Sequence, residues 1–247
     1  MASLISEDRA SAPSVERVVR LVEEDPDLFA TVEPAALARL APYAVARAVD
    51  LPRGGWERRL EDPARAPLGL LLLRGLLVRE ATLGREQCVE IIGPGDPLRP
   101  WVEIDGPGGA VEARWYAMNR CVVALLDQRF GRLASLAPPV LEALLDRHIR
   151  RIRWLEFQLA VSHMVGLERR LELVLRHYAD RWGKVTADGT VIPYPFSHEL
   201  LAKVTGGRRP SVSTALSRLS RNGSVVRVDD GSWLVRDVEQ LPAPVGD

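Results

Sequence analysis

The stretch from residue 140 to residue 182 contains no proline and a single glycine, Gly166. Proline and glycine are the residues that most often interrupt a helix, so a run of this length without them predicts helix. We expect one long helix, a hinge at Gly166 and a second, amphipathic helix over residues 167–181. The length of 247 residues suggests one large domain or two modest ones and favours two.

The first of these helices carries a heptad pattern. Seven positions recur at alternating spacings of four and three residues, and five of them are apolar: Leu141, Leu145, His148, Ile152, Leu155, Leu159 and Ser162. Such a seam lets two long helices pack along each other, so we predict that it joins two copies of the chain in a homodimer. The alternative is that the helix packs on a barrel of its own chain. We interpret His148 as a packed core or interface histidine rather than a metal or haem ligand.

The region before this helix has a different pattern. Residues 1–14 are interpreted as a loose tail, and short helices are predicted over residues 15–22 and over Pro34–Leu40. From Tyr43 to about Phe130, short apolar runs are bounded by turns such as Gly93-Pro94-Gly95-Asp96 and Gly106-Pro107-Gly108-Gly109. Strands are predicted over residues 76–82, 87–92 and 116–126. This pattern is typical of a β-barrel or β-sandwich with tight hairpins.

Composition narrows the class of protein. Hydrophobic residues make up 47% of the chain, and the two cysteines, Cys88 and Cys121, are too few for a disulfide scaffold or a four-cysteine metal site. We interpret both as buried, inert thiols on barrel strands. No apolar run approaches the roughly 20 residues that span a bilayer, and the first residues carry no apolar signal region. We therefore expect a cytoplasmic protein that does not contact membranes.

The charge is balanced overall but not locally. The chain has 33 basic and 33 acidic residues, whereas residues 197–227 hold six basic residues and one acidic residue. This window therefore carries a charge of +5, and the rest of the chain carries −5. A local excess of positive charge is what contact with a polyanion requires.

The same window has the pattern of a winged helix-turn-helix. Ser197 is predicted to cap a helix over residues 198–204, Thr205-Gly206-Gly207 predicts a tight turn, and a second helix is predicted over residues 209–222. Residues 225–228 and Trp233–Val235 predict a β-hairpin across Asp229-Asp230-Gly231-Ser232. In this arrangement the second helix lies in the major groove of DNA.

The second helix is predicted to bury one face, with Val212, Ala215, Leu216 and Leu219, and to present a polar face to DNA. The predicted DNA-binding residues are Ser197, Arg208, Arg209, Pro210, Ser211, Ser213, Thr214, Ser217, Arg218 and Arg221. Their hydroxyls and guanidinium groups offer donors to phosphates and base edges. We assign Arg209 to a base contact, and Arg218 and Arg221 mainly to phosphates.

These motifs together resemble the Crp/Fnr family of bacterial transcription regulators. The resemblance rests on Leu73-Arg74-Gly75, Gly84-Arg85-Glu86, Gly93-Pro94-Gly95-Asp96, Ser197-His198-Glu199-Leu200-Leu201-Ala202 and the helix-turn-helix text of residues 207–216. It implies an α+β fold: an N-terminal β jelly-roll of the cyclic-nucleotide-binding type at 1–137, a long dimerisation helix at 138–164 and a C-terminal winged helix-turn-helix at 165–240.

The resemblance also implies partners. It implies a homodimer that binds a two-fold symmetric site on double-stranded DNA, with RNA polymerase as a further candidate partner. The family's base-reading positions fall on Arg209, Pro210, Ser213 and Thr214. Pro210 replaces an acidic residue that some members carry, so their operator sequence does not transfer to this chain.

The sensor part departs from the members that bind cyclic nucleotides. Those members hold the phosphate with a Gly–Glu pair followed by an Arg–Ser or Arg–Thr pair, whereas here the latter positions align with Val111 and Glu112. A carboxylate at this place repels an anionic ligand. We expect a regulator that does not depend on cyclic AMP, with no cofactor and an effector that the sequence does not identify. A signal in the barrel would alter packing along the seam, and the hinge at Gly166 would reorient the recognition helices.

Two other classes of function have less support. An enzyme is disfavoured because the four histidines, His148, His163, His177 and His198, lie in predicted helices and no nucleophile elbow, Walker loop or zincin motif occurs. We accordingly predict neither a catalytic residue nor a metal site. The alternative binding function is a sensor of a cyclic nucleotide or another small ligand whose winged helix contacts proteins. Binding to DNA would weaken steeply with salt, which separates the two interpretations.

Overall fold

A computed structural model describes residues 15–84, 86–101, 105–106 and 109–236. The chain divides into two compact units, one that ends at Arg153 and one that begins at Trp154. Outside the described residues lie the predicted tail at 1–14, Arg85 of the predicted hairpin, Pro107 and Gly108 of a predicted turn, and residues 237–240. None of the helices in the described part of the chain combines the length and the apolarity that crossing a membrane requires.

The first unit consists mainly of antiparallel strands. Its elements are β1 (Val15–Arg20), α1 (Leu21–Glu24), α2 (Pro34–Leu40), β2 (Val45–Leu51), β3 (Gly69–Arg74), β4 (Leu77–Leu83), β5 (Glu86–Ile92), β6 (Pro97–Leu98), β7 (Asp105–Gly106), β8 (Gly109–Ala110), β9 (Glu112–Ala117), β10 (Cys121–Leu126), α3 (Gln128–Leu136) and α4 (Pro138–Ser162). One sheet has the order β1-β2-β10-β3-β6, a second has the order β5-β4-β9, and β7 pairs with β8. The predicted helix over Pro34–Leu40 is confirmed.

Strand β10 lies in the middle of the larger sheet and is buried along its whole length. Successive side chains of a strand point to opposite faces, and here each face meets its own core. Val122, Ala124 and Leu126 join a cluster that includes Phe130 of α3. Cys121, Val123 and Leu125 join a second cluster with residues of β4, β5 and β9. The sequence of β10 is therefore apolar without alternation, as expected for a strand covered on both sides.

The prediction of a helix over residues 15–22 is wrong. Residues Val15–Arg20 form strand β1, which pairs antiparallel with β2 from Val15 opposite Asp50 to Arg20 opposite Val45. Three of these six residues are valine, which favours extended backbone, and Val19 is buried in the core. Helix begins only at Leu21, after the strand has ended.

The prediction of one strand over residues 116–126 is also wrong. Two strands, β9 and β10, occupy this segment and belong to different sheets. The turn between them is held by Leu76, whose N–H donates to Asn119 Oδ1 at 2.8 Å and whose carbonyl accepts from the Met118 N–H at 2.8 Å. The next helix, α3, was not predicted, although Asp127 caps it by accepting from the Arg129 and Phe130 N–H groups.

Helix α4 has 25 residues, and its part up to Arg153 belongs to the first unit. One face of this part packs on its own unit. Val140 and Leu144 are buried there, and Arg147 and Arg151 form ion pairs with Asp25 and Glu90. One face of α4 therefore packs on its own chain, as the alternative interpretation expected.

The second unit contains the remaining helices and a four-stranded sheet. After the end of α4 its elements are α5 (Leu167–Trp182), β11 (Lys184–Thr186), β12 (Gly189–Ile192), α6 (His198–Thr205), α7 (Arg209–Arg221), β13 (Val225–Arg227) and β14 (Trp233–Val235). The sheet order is β11-β12-β14-β13. The sequence predicted only a polar connection through residues 186–189, but β11 and β12 pair as a hairpin there and extend the predicted wing.

Aromatic residues dominate one side of the second unit's core. The rings of Trp154 and His177 stack with centroids 3.5 Å apart and planes 3° apart, and Tyr178 packs next to Trp182 and Phe196. Burial, together with the charge of Arg181, lowers the pKa of His177 to about 4. His177 is therefore a neutral ring of the core at physiological pH. His163, predicted to be helical, lies in the turn that follows α4.

Candidate nucleic-acid interface

A serine cap begins α6, and two glycines form the turn that leads from α6 to α7. Ser197 accepts a hydrogen bond from the Leu200 N–H at 3.1 Å and so begins α6 as predicted. Gly206 ends the helix in the left-handed conformation at φ 64°, which glycine adopts without strain. A Cβ at Gly207 would lie 2.9 Å from Leu167 Cδ1, so a larger residue there would require the Leu167 side chain to shift. Gly206 thereby ends α6, and Arg208 stands directly before the first turn of α7.

Helix α7 buries the four predicted residues, Val212, Ala215, Leu216 and Leu219. The opposite face is open to solvent. Of the predicted DNA-binding residues, Ser213 is half-buried and the others are exposed: Ser197, Arg208, Arg209, Pro210, Ser211, Thr214, Ser217, Arg218 and Arg221. The structure thus brings the exposed residues of α7 together on one surface, and Ser197 stands at the start of the neighbouring helix.

Three of the four predicted hydroxyl groups on α7 are bonded to the helix itself. Ser213, Thr214 and Ser217 donate to the carbonyl oxygens four residues earlier, at 3.1, 3.2 and 2.9 Å. The sequence led us to expect these hydroxyls to offer donors to DNA. Because each hydroxyl has one hydrogen, the groups instead turn acceptor oxygens toward the outside. The donors that remain on this face are its arginines and the exposed hydroxyl of Ser211, which makes no such bond within the described residues.

The arginines of α7 differ in how they are held. The guanidinium of Arg209 stands in the first turn and makes no hydrogen bond or ion pair within the described residues. Arg221 donates to the Ser217 carbonyl at 3.4 Å. Arg218 pairs with Glu168 of α5 at 2.7 Å, in an exposed ion pair. Sequence reasoning missed Glu168, since nothing local connects residues 50 positions apart.

Two further residues beside this face were absent from the predicted set. His198 in the first turn of α6 lies with its Nδ1 2.8 Å from the Ser213 hydroxyl oxygen. Burial lowers the pKa of His198, and the positive charges of Arg227 and Arg209 lower it further. Arg227 of the wing stacks over the ring of Trp233, with 5.5 Å to the ring centroid. Arg227 lies inside the basic window, whereas His198 left no such signal because it is neutral.

Comparison with known proteins agrees with this geometry. A family model described as the Crp-like helix-turn-helix domain matches residues 168–243. The CRP-like cAMP-activated global transcriptional regulator of Mycobacterium tuberculosis is 25% identical over 214 residues, which cover 87% of this chain and 94% of that protein. Residues 168–243 therefore contain a Crp-like helix-turn-helix domain, and most of the chain is similar to a CRP-like regulator. As a Crp/Fnr-type protein it is a DNA-binding transcription regulator, and α6 and α7 are its helix-turn-helix.

Two solved structures show that the likeness of fold covers most of this chain. FixK2 from Bradyrhizobium japonicum superposes with a TM-score of 0.59 at 17% identity, over 81% of this chain and 99% of that one. A CRP-family transcriptional regulator from Thermus thermophilus gives a TM-score of 0.54 at 23% identity, over 78% of this chain and 93% of that one. The predicted α+β class, with an N-terminal β-rich part, a long helix and a C-terminal helix-turn-helix, is confirmed.

The β-rich part of this Crp/Fnr regulator has an internally bonded turn at Gly95-Asp96. Asp96 Oδ2 accepts from the Gly93 N–H at 2.8 Å, and the Gly95 carbonyl accepts from Arg147 at 3.3 Å. Val111 is half-buried and Glu112 is exposed. Within the described residues, no three His, Cys, Asp or Glu side chains converge as a metal site requires.

The two cysteines of this Crp/Fnr regulator have opposite environments. Cys121 is buried, as predicted, and burial raises the pKa of its thiol to about 12. The prediction that Cys88 is buried is wrong, because it lies exposed on β5 opposite Ala81. The first residues of β5, from Glu86 to Cys88, are all exposed and only the later ones enter the core. The sequence pattern of β5 did not indicate that Cys88 would be exposed.

Proposed function

We propose that this regulator acts as a homodimer and binds a pseudo-palindromic operator with the two copies of α7. The observation that carries the proposal is the exposed arginine and hydroxyl face of α7, where the guanidinium of Arg209 in the first turn has no partner among the described residues. An arginine there suits the O6 and N7 acceptors of guanine, while Arg218 and Arg221 suit phosphates. Two such helices read half-sites about one helical turn, roughly 34 Å, apart.

The seam on α4 supports the homodimer. The face that does not pack on its own unit exposes the predicted apolar residues Leu141, Leu145, Ile152, Leu155 and Leu159, each between 42% and 62% accessible. Leucines and isoleucines at heptad spacing are costly to leave in water, and the same stripe on a second copy would cover them. His148, half-buried between Leu145 and Ile152, would then be an interface residue.

The parts of the chain have separate roles in this proposal. Residues 1–137 act as the sensor, 138–164 as the dimerisation helix and 165–240 as the DNA-binding part. The sensor does not require cyclic AMP, because Glu112 stands where a phosphate-binding hydroxyl would be needed. Because its target is DNA, we place the protein in the cytoplasm. Its role is regulation rather than catalysis, and RNA polymerase is a candidate partner.

Selection of bound duplexes from a random DNA pool, with and without cell extract, tests the proposal. We expect a two-fold symmetric sequence and a log-affinity that falls linearly with log salt concentration. Arg209→Ala is expected to cost about 1–3 kcal/mol and to relax the preference at one base pair of each half-site. Arg53→Ala, on an exposed loop of the first unit, is the matched control and should change neither.

The dimer has its own test. Ile152→Asp places a charge in the proposed seam and should yield monomers by sedimentation together with weak operator binding. A wild-type chain that sediments as a monomer while binding DNA would refute the seam. A chain that ignores duplex DNA at low salt but captures a protein would favour the alternative that the winged helix contacts proteins.

A further inference from the structure

The side chain of Ser213 is engaged on two sides. Its hydroxyl lies 3.1 Å from the Arg209 carbonyl oxygen and 2.8 Å from Nδ1 of His198. A serine hydroxyl has one hydrogen, and the carbonyl can only accept, so that hydrogen goes to the Arg209 carbonyl. His198 must then donate its Nδ1–H to the Ser213 oxygen. The two bonds together fix which nitrogen of the imidazole carries the proton.

With its hydrogen on Nδ1, neutral His198 has an unprotonated Nε2. This nitrogen has no hydrogen-bond partner among the described residues and is not among the buried polar atoms that lack one, so it faces solvent. His198 is in the first turn of α6 and is linked to the exposed face of α7 through Ser213. The first helix of a helix-turn-helix crosses the DNA backbone, which brings Nε2 to the side where phosphates pass.

The surroundings of His198 favour an anion. The charged groups that act on the imidazole from neighbouring elements are Arg209 of α7 and Arg227 of β13, both positive. From β14 the ring of Trp233 lies 6.2 Å away, and on α6 the adjacent Glu199 does not share its helix face. Partial burial, and then the two cations, lower the pKa of the imidazole in the free chain and so favour its neutral form. An incoming phosphate adds a negative charge to the same place and reverses the balance.

We infer that His198 is a DNA-backbone contact that takes up a proton as it binds, with Ser213 as the residue that positions its ring. The inference rests on the proposed function. The proton comes from solvent and goes to Nε2, which then donates to a phosphate oxygen while Nδ1–H remains on Ser213. Ser213 therefore orients a contact rather than reading a base, in contrast to the assignment that the family resemblance implied.

Proton uptake on binding makes the DNA affinity depend on pH in a defined direction. The pKa of His198 is lowered in the free chain and is raised when the phosphate is bound. DNA affinity therefore rises as pH falls through the pKa of the complex, and levels off below the pKa of the free chain. The rise is at most about tenfold per pH unit for each His198 engaged.

The experiment measures the affinity of the full chain for its selected duplex between about pH 5.5 and pH 8 at constant ionic strength. His198→Asn should lose the pH-dependent component, and His198→Gln is a second variant in case the first unfolds. Ser213→Ala should make the dependence shallower, and Ser213→Thr should restore it. His163→Asn, at an exposed turn residue, and Ser220→Ala, elsewhere on α7, are the matched controls and should behave as wild type.

The outcomes separate the two proposals. A chain that binds its duplex with the same pH dependence in His198→Asn as in wild type overturns this inference alone. A chain that binds no duplex at any pH overturns the proposed function and this inference together. Loss of the pH dependence in both His198 variants, with the controls unchanged, supports it.

Discussion

Helix α4 is tied to the first unit by a buried ion pair whose removal has a calculable cost. Arg147 donates to both carboxylate oxygens of Asp25, at 2.5 and 2.8 Å, and also reaches the Gly95 carbonyl at 3.3 Å. The two side chains are only 6% and 10% exposed. Arg147→Ala leaves the Asp25 carboxylate buried without its cation. Breaking a pair of this kind by removing one partner costs about 3–5 kcal/mol.

The cost arises because the Asp25 carboxylate stays buried without a cation, and not because its attraction to Arg147 is lost. A variant that removes both charges should therefore be more stable than Arg147→Ala. Asp25→Leu with Arg147→Met removes both charges and keeps the volume apolar, and should recover most of the stability. Arg150→Ala, at an exposed position on the same helix, is the control and should stay within about 0.5 kcal/mol of wild type.

The assay is urea unfolding, because guanidinium chloride would screen the charges under study. Hydrogen exchange of the β2 and β10 amides reports the stability of the first unit specifically. A loss of less than about 1 kcal/mol in Arg147→Ala, or a double variant no more stable than Arg147→Ala, would contradict this cost.

Three further predictions follow from single contacts. Ser197→Ala removes the cap of α6 and should lower the free energy of unfolding of the second unit by about 1 kcal/mol, measured by urea titration. Arg218→Ala should reduce the slope of log-affinity against log salt by about one and weaken all duplexes alike, whereas Glu168→Gln should strengthen binding because it frees Arg218 from its carboxylate. In the native chain a thiol reagent at about pH 8 should modify Cys88 and not Cys121, whose high pKa and burial keep it protonated and inaccessible until urea unfolds the chain; two rapidly reacting thiols would contradict this.

The helix-turn-helix could be predicted in detail because its signals are local. Ser197 caps the helix that follows it directly, Gly206 ends that helix, and the buried side of α7 repeats within its own 13 residues. Every one of these features depends on residues a few positions apart. Periodicity and capping rules operate on that scale.

The missed elements depend on partners far along the chain. Strand β1 exists because it pairs with β2, about thirty residues later, and the Val191 position of β12 pairs with Leu234 of β14. The ion pair that holds α4 joins residues 122 positions apart. Hydroxyl directions on α7 and the link from His198 to Ser213 likewise need coordinates, since they depend on how two helices meet. These strands and contacts depend on pairing between residues that are distant in sequence, and local sequence patterns do not reveal that pairing.

The hairpin of β11 and β12 determines how much of the chain a transplantable DNA-reading module must include. A gene fusion that begins at Pro193 would retain both helices of the motif but would remove one of the two neighbours of β14, since Thr190, Val191 and Ile192 pair with it. It would also lose α5, whose Leu171 and Val174 are fully buried in this unit. A graft that keeps its shape in a foreign protein therefore has to include α5 and also Trp154, whose ring stacks on His177, well before the residues proposed to contact DNA.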